Sequence, residues 1–250
     1  MSNIGLTIEG NEIKNFYRNG IYCYYNVKDA SFIKNRIVRG TKSSYTTFYG
    51  IYYYNCSGGL FDGNYIADDG PNGQSYTAYG IYCYYFSSSS SNNGHLIVQN
   101  NVINITSGYY RQAIYGNQYY ALSKKYLHNT IYCRGSYGYG YGIYSYTYNY
   151  NTITYKNNII DADWTSSPYW YNIYNYSYGM VDVDGNVLSR DPNNSSSRIG
   201  YVYTLSSGGG IATTWAQWQS NPNNLDPNGQ ELRPNYMDAA NGDFEPITLD

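Results

Sequence analysis

The first residues in this chain that could do chemistry are its carboxylates, because hydrolysis of a glycosidic bond needs two carboxyl groups roughly 5 to 9.5 Å apart across the scissile bond. Asp161 and Asp163 stand two residues apart. On a strand they would project from one face at about the separation an inverting pair requires. Trp164, Tyr169 and Trp170 follow closely and offer flat aromatic surface of the kind that stacks on sugar rings. Asp68 and Asp69 form a second pair, but Asp69 and Asp163 recur three repeats apart, about 14 Å at the usual strand spacing, too far to share one bond. A plainer role competes for Asp163. Arg134, Asp163 and Asp191 fall at matching places of successive repeats, where they would form a charge ladder of little energetic weight. Asp182 and Asp184 read as a solvated strand face or at best a weak calcium site.

Other chemistry is poorly provided for. Neither His95 nor His128 has a second histidine or a cysteine at ligand spacing, so no transition metal and no cofactor is expected. Cys23 and Cys83 share a repeat position but lie two repeats apart, about 9.6 Å and beyond bridging reach, while Cys56 and Cys133 fall at other positions. All four read as small core residues. The stronger signal is aromatic. Tyr22, Tyr52, Tyr82, Tyr115, Tyr144 and Tyr174 recur about 30 residues apart, and Tyr24, Tyr54, Tyr84, Tyr146 and Tyr176 repeat two places later, interrupted by Asn117. Stacked on consecutive coils these would make a strip about 24 Å long. So large an aromatic patch marks an interaction surface for extended glycans or another protein, or else a ladder that only stabilises its sheet.

Two interleaved motifs supply the elements that position these residues. Gly-Ile-Tyr opens at Gly20, Gly50, Gly80 and Gly142, with variants at Ala113 and Asn172. Asn-x-Ile or a close variant opens at Asn11, Asn35, Asn64, Asn101, Asn129, Asn158 and Asn186. Both alternate with period two, as do the apolar pairs upstream of the asparagines, such as Leu6 and Ile8, Ala30 and Phe32, and Leu96 and Val98. Each repeat therefore holds three short strands, and only stacking in register buries its isoleucines. The predicted fold is all-β, a right-handed parallel β-helix of about seven coils over residues 1–190, with a non-repetitive capping segment over 191–250. The asparagines are expected at tight bends, in left-handed geometry, each amide bonding to its copy one coil away. Loops that break the period, at residues 69–73, 86–94, 138–141 and 166–168, are where a solenoid would carry a site. In the capping segment, Thr213-Thr214-Trp215-Ala216-Gln217-Trp218-Gln219 predicts a threonine N-cap followed by a short Trp-bearing helix that covers the last coil.

Composition agrees: 38 tyrosines and 26 glycines favour strands and turns. A net charge of -2 without a basic stripe argues against nucleic acid. There is no apolar run of bilayer length, so no membrane insertion is expected, and the opening residues lack the regions of a signal peptide. With Leu6 and Ile8 already at core positions, the first coil is expected to be covered by further chain or by a partner, as part of a longer protein.

The interleaved motifs over about residues 3–190 resemble the degenerate repeats of the pectate-lyase-like right-handed β-helix superfamily. The tail, Trp215 to Gln219 followed by Asp238-Ala239-Ala240-Asn241-Gly242-Asp243-Phe244, is similar to the closing segment of secreted bacterial β-helix proteins, including surface adhesins exported by the type IX system. That resemblance implies an extracellular or cell-surface protein whose partner is a polysaccharide or a cell-surface protein. The polygalacturonase-like enzymes of the superfamily carry Asn-Thr-Asp, paired-Asp, Gly-His-Gly and Arg-Ile-Lys units. Here Asp68-Asp69 echoes the pair, Gly94-His95 runs into Leu96, and the other two are missing. The expectation is therefore a non-catalytic adhesive or glycan-binding module acting through the tyrosine strip with Trp164 and Trp170. A polysaccharide-degrading enzyme using Asp161 and Asp163 is the first alternative and a structural spacer the second.

Overall fold

In a computed structural model the described residues are 3–40, 47–68, 77–85, 94–106, 108–135, 138–148, 151–164, 170–189, 197–204, 208–221, 225–232, 236–238 and 243–246. Within them three parallel sheets wind into a β-solenoid. Sheet A contains the strands just before each motif asparagine, from Thr7–Glu9 to Val181–Asp184, seven in all. Sheet B contains the strands just after it, from Glu12–Lys14 to Val187–Leu188, with Gln230–Glu231 as an eighth. Sheet C contains the Gly-Ile-Tyr strands, from Asn19–Tyr24 to Ser197–Thr204. Seven strand triplets stack, and five of them have a coil both above and below.

Register is set by the apolar columns. Ile21, Ile51, Ile81, Ile114, Ile143 and Ile173 align residue for residue in sheet C, and Ile13, Ile37, Ile66, Ile103, Ile131, Ile160 and Leu188 in sheet B. A one-residue slip would turn every one of these outward, so the alignment is strongly specified. The motif glycine answers to close approach between sheets. A Cβ on Gly50 would stand 2.3 Å from Ile66 and 2.6 Å from the carbonyl oxygen of Gly80. In sheet A, Phe32, Phe61, Val98, Tyr126, Tyr155 and Val183 complete the core.

The motif asparagines form one continuous ladder. Each Oδ1 from Asn35 to Asn186 accepts both the backbone N–H and the Nδ2 of the asparagine one coil earlier, at 2.9–3.2 Å. Each Nδ2 from Asn35 onward also donates to a sheet A carbonyl of the preceding coil, as Asn129 does to Val98 at 2.9 Å. The expected link between coils is present, but the left-handed geometry belongs to the residue before each ladder asparagine. Gly10, Lys34, Gly63, Asn100, His128, Asn157 and Gly185 have φ between 50 and 68°. The ladder asparagine follows the bend, where its amide lies along the solenoid axis.

The stack continues beyond residue 190, since Ser197–Thr204 pairs in parallel with Trp170–Ser177. Gly208–Ala212 then folds back antiparallel and closes sheet C. The capped helix forms as expected at Trp215–Gln219, with Thr214 and Gln217 making a reciprocal capping box. Trp218 is buried over Gly200, and Leu225 joins the core beside it. Asp226 ends the ladder: Oδ1 accepts Asn186 N–H at 2.9 Å and Oδ2 accepts its Nδ2 at 3.1 Å. A carboxylate brings no side-chain donor in need of a further coil. The other end is barer, with Leu6 exposed and Ile8, Ile13 and Phe16 only partly buried.

Candidate functional site

Because each sheet C isoleucine points inward, the tyrosine after it points outward, and parallel register stacks that tyrosine on its copy above. Tyr22, Tyr52, Tyr82, Tyr115, Tyr144, Tyr174 and Tyr201 form an unbroken column, with ring centroids 4.8–5.3 Å apart. Tyr24, Tyr54 and Tyr84 form the lower half of a second column, and Tyr146, Tyr176 and Tyr203 the upper half. At the break between them Asn117 donates to the Tyr115 hydroxyl at 2.9 Å. Rings of the two columns in one coil are nearly parallel, 5.6 Å apart for Tyr52 and Tyr54.

The structure adds a third column that the motif spacing did not single out. Tyr49 stacks on Tyr79 at 5.1 Å and Tyr141 on Tyr171 at 5.8 Å, and these rings meet the first column edge-on, as Tyr49 meets Tyr52 at 74°. Arginines close both ends: Arg18 lies 5.5 Å from the Tyr49 ring centre, and Arg198 lies 5.2 Å from that of Tyr171 and donates to its hydroxyl. The signal was present in Tyr49-Gly50-Ile51 and Tyr79-Gly80-Ile81, where the tyrosine precedes the motif instead of following it.

This geometry decides what the face offers. A ring in the middle of a column has a neighbour against both faces, so its edge and its hydroxyl are what remain for solvent. Tyr22 and Tyr24, at the first coil, are the exposed members, 57% and 51% accessible, and the rings above them are half-buried. Burial, with neighbouring phenols adding to it, pushes Tyr52 and Tyr174 up to about 12 and also raises Tyr82, Tyr115 and Tyr144. These phenols are therefore uncharged at neutral pH, a sheet of hydroxyls on an aromatic bed with its arginines at the two ends.

The carboxylate candidates are placed differently. Asp161 lies on the strand Ile159–Trp164 but is fully buried, and the Ser189 hydroxyl donates to it at 2.6 Å. Asp163 pairs in register with Arg134, as a charge ladder would require. The side chains of Asp163 and Trp164, together with Tyr169 and Asp191, lie outside the described residues, as does Asp69. Asp68 is fully buried in an ion pair with Arg39 at 2.9 Å. Asp182 meets Lys156 at 2.8 Å, and Asp184 accepts the Asn228 amide at 2.9 Å, which ties the capping segment to the last coil. Trp170 is not on the surface. Its ring fills the room above Gly140, where a Cβ would come within 1.8 Å of it, and its Nε1–H donates to Gly138 at 3.1 Å. All four cysteines are free and buried.

Fold and face together define a parallel β-solenoid with a tyrosine-rich flank. No protein-family model matches the chain, and comparison with curated proteins and with solved structures returned no match.

Proposed function

We propose that this solenoid is a non-catalytic adhesive module of a secreted or cell-surface bacterial protein, and that its tyrosine face binds a neutral glycan. The observation that carries the reading is the seven-ring column beside two shorter ones, a neutral hydroxyl array repeating about every 5 Å along the axis. A face that served only to stabilise its sheet would not need three columns side by side. With ring faces covered, recognition runs through phenol hydroxyls and ring edges, which suits a polymer lying along the columns and donating and accepting many weak hydrogen bonds. The hydrolytic alternative draws nothing from Asp161, which is sealed beneath Ser189.

The test is retention of the purified protein on a panel of immobilised polysaccharides, with release of reducing or unsaturated ends followed in parallel. Retention without product, lost in a Tyr52→Ala, Tyr82→Ala double variant that still folds, is the expected result. Release of product would replace this reading with the enzymatic one, and no retention on any polymer would leave a structural spacer.

A further inference from the structure

The third tyrosine column lacks one rung. Register aligns Tyr49, Tyr79, Gln112, Tyr141 and Tyr171, so in the fourth coil a glutamine stands where the two coils below and the two above carry a ring, with Asn19 and Arg198 at the two ends of the column. A shallow open groove of about 480 Å³ occupies that place, lined by Tyr110, Gln112, Tyr139 and Tyr141. Its volume falls within the range of roughly 300–1,000 Å³ that small-molecule sites occupy. Tyr141 stacks on Tyr171 above and meets Tyr144 and Tyr174 edge-on, while the position beneath it is the glutamine. Its lower face is therefore turned toward the groove without a ladder partner. Tyr110 and Tyr139, two residues earlier on the same strands and stacked at 5.4 Å, complete the lining.

One polar atom points the same way. Gln112 Oε1 is buried and has no hydrogen-bond partner. Buried acceptors in native structures are rarely left unmet, and a turn of the Gln112 amide would bring this one into the groove that its side chain lines, where a ligand hydroxyl can donate to it. Among the described residues the lining carries no charged side chain. A ligand that fits must therefore be neutral, present one flat apolar face to Tyr141 and carry a hydroxyl toward Gln112. We infer that the groove at Gln112 is a subsite for a single neutral pyranose ring, one unit of the glycan that the tyrosine face binds. The inference rests on the glycan reading and deepens it, by naming the place where a ring face is available instead of a ring edge.

The missing rung supplies its own test. Gln112→Tyr would complete the column and fill the groove with the protein's own ring, so it is expected to fold and to melt no lower than the parent. Gln112→Met keeps the side-chain length and removes the acceptor. Binding of neutral gluco-, galacto- and manno-configured oligosaccharides of two to six units is measured by calorimetry, beside the polysaccharide retention described above. The inference predicts at least a tenfold loss of oligosaccharide affinity in Gln112→Tyr and a severalfold loss in Gln112→Met. If both variants bind like the parent while retention persists, the subsite is wrong and the glycan reading stands. If the parent itself binds neither oligosaccharide nor polymer, or binds only aromatic peptides, the glycan reading fails and the subsite with it.

Discussion

Replacing Asn129 with alanine takes one rung from the middle of the asparagine ladder, and the cost can be worked from its contacts. Asn129 Oδ1 accepts Asn101 N–H at 3.2 Å and Asn101 Nδ2 at 3.0 Å, and Asn129 Nδ2 donates to Val98 O at 2.9 Å and to Asn158 Oδ1 at 3.0 Å. At about 1 kcal/mol net for each of these hydrogen bonds, and more where a buried group is stranded, the loss is about 4 kcal/mol. For a chain of this size that corresponds to a fall in Tm of roughly 8 to 16 °C. Asn11 provides the control. It sits at the exposed end of the ladder, where its amide donates to Glu9 and Asn35 and water can replace either partner, so Asn11→Ala is expected to cost less than about 1 kcal/mol. Both variants are unfolded in guanidinium chloride and followed by far- and near-ultraviolet circular dichroism. Solenoids can lose coils separately, so coincidence of the two signals is checked before midpoints are converted to free energy. Costs that agree within about 0.5 kcal/mol would show that position along the ladder carries no weight and would refute the reasoning.

Three further outcomes follow from buried groups. Lys124 occupies an apolar column of sheet A and donates to the carbonyls of Gly116 and Tyr146, and burial pulls its amine down to about 7. Between that value and about 10.4 the unfolded chain holds a proton that the native chain lacks, so stability rises with pH across this window, by a few kcal/mol in total. The stability of Lys124→Met should lack that slope when measured against the parent at pH 6 and pH 8.5. A parallel pair of curves would exclude the effect. For the tyrosine face the sign is opposite, because raised phenol values leave the native chain protonated where the unfolded chain ionises near pH 10, and stability falls above that point. Native protein at pH 11 should show tyrosinate absorbance well short of the unfolded chain's and gain the remainder abruptly on unfolding, whereas a native titration that already reaches the unfolded amplitude would contradict the burial. Gly140→Ala should cost about 1–3 kcal/mol through displacement of Trp170, read from thermal melts, and an unchanged melt would mean the ring moves freely.

Much of this architecture was legible in the chain because its information is periodic. The isoleucine columns, the asparagine ladder and two of the tyrosine columns each repeat one residue type at one position, and register follows from that. What was not legible depends on single contacts. Trp170 looked like surface aromatic beside a loop, but the two glycines of Gly138-Tyr139-Gly140 one coil below make room for its ring in the core. Asp161 looked available until Ser189, one coil on, was seen to cover it. The left-handed residues were assigned one place late, although glycine or asparagine precedes five of the seven ladder positions. Lys124 stands where its neighbours in register are Leu96 and Ile153, and nothing in its local sequence announces that two carbonyls receive its amine. The extension of the first two tyrosine columns to Tyr201 and Tyr203 was hidden because residues 190–196 interrupt the period before sheet C resumes.

The ladder's ending at Asp226 also bears on how long such a protein is free to be. Every ladder amide donates in the same direction, and among the described residues the capping segment meets that series at its last member, Asn186. From the cap's side, a stack of five coils and a stack of nine would look alike. Deleting or duplicating one whole period, for example the 28 residues that separate Asn101 from Asn129, would bring equivalent backbone positions together and leave both ladder and cap closed. Length is thus decoupled from stability at the terminus, and the number of coils, with it the reach of the tyrosine face, can change by whole units without a redesigned end.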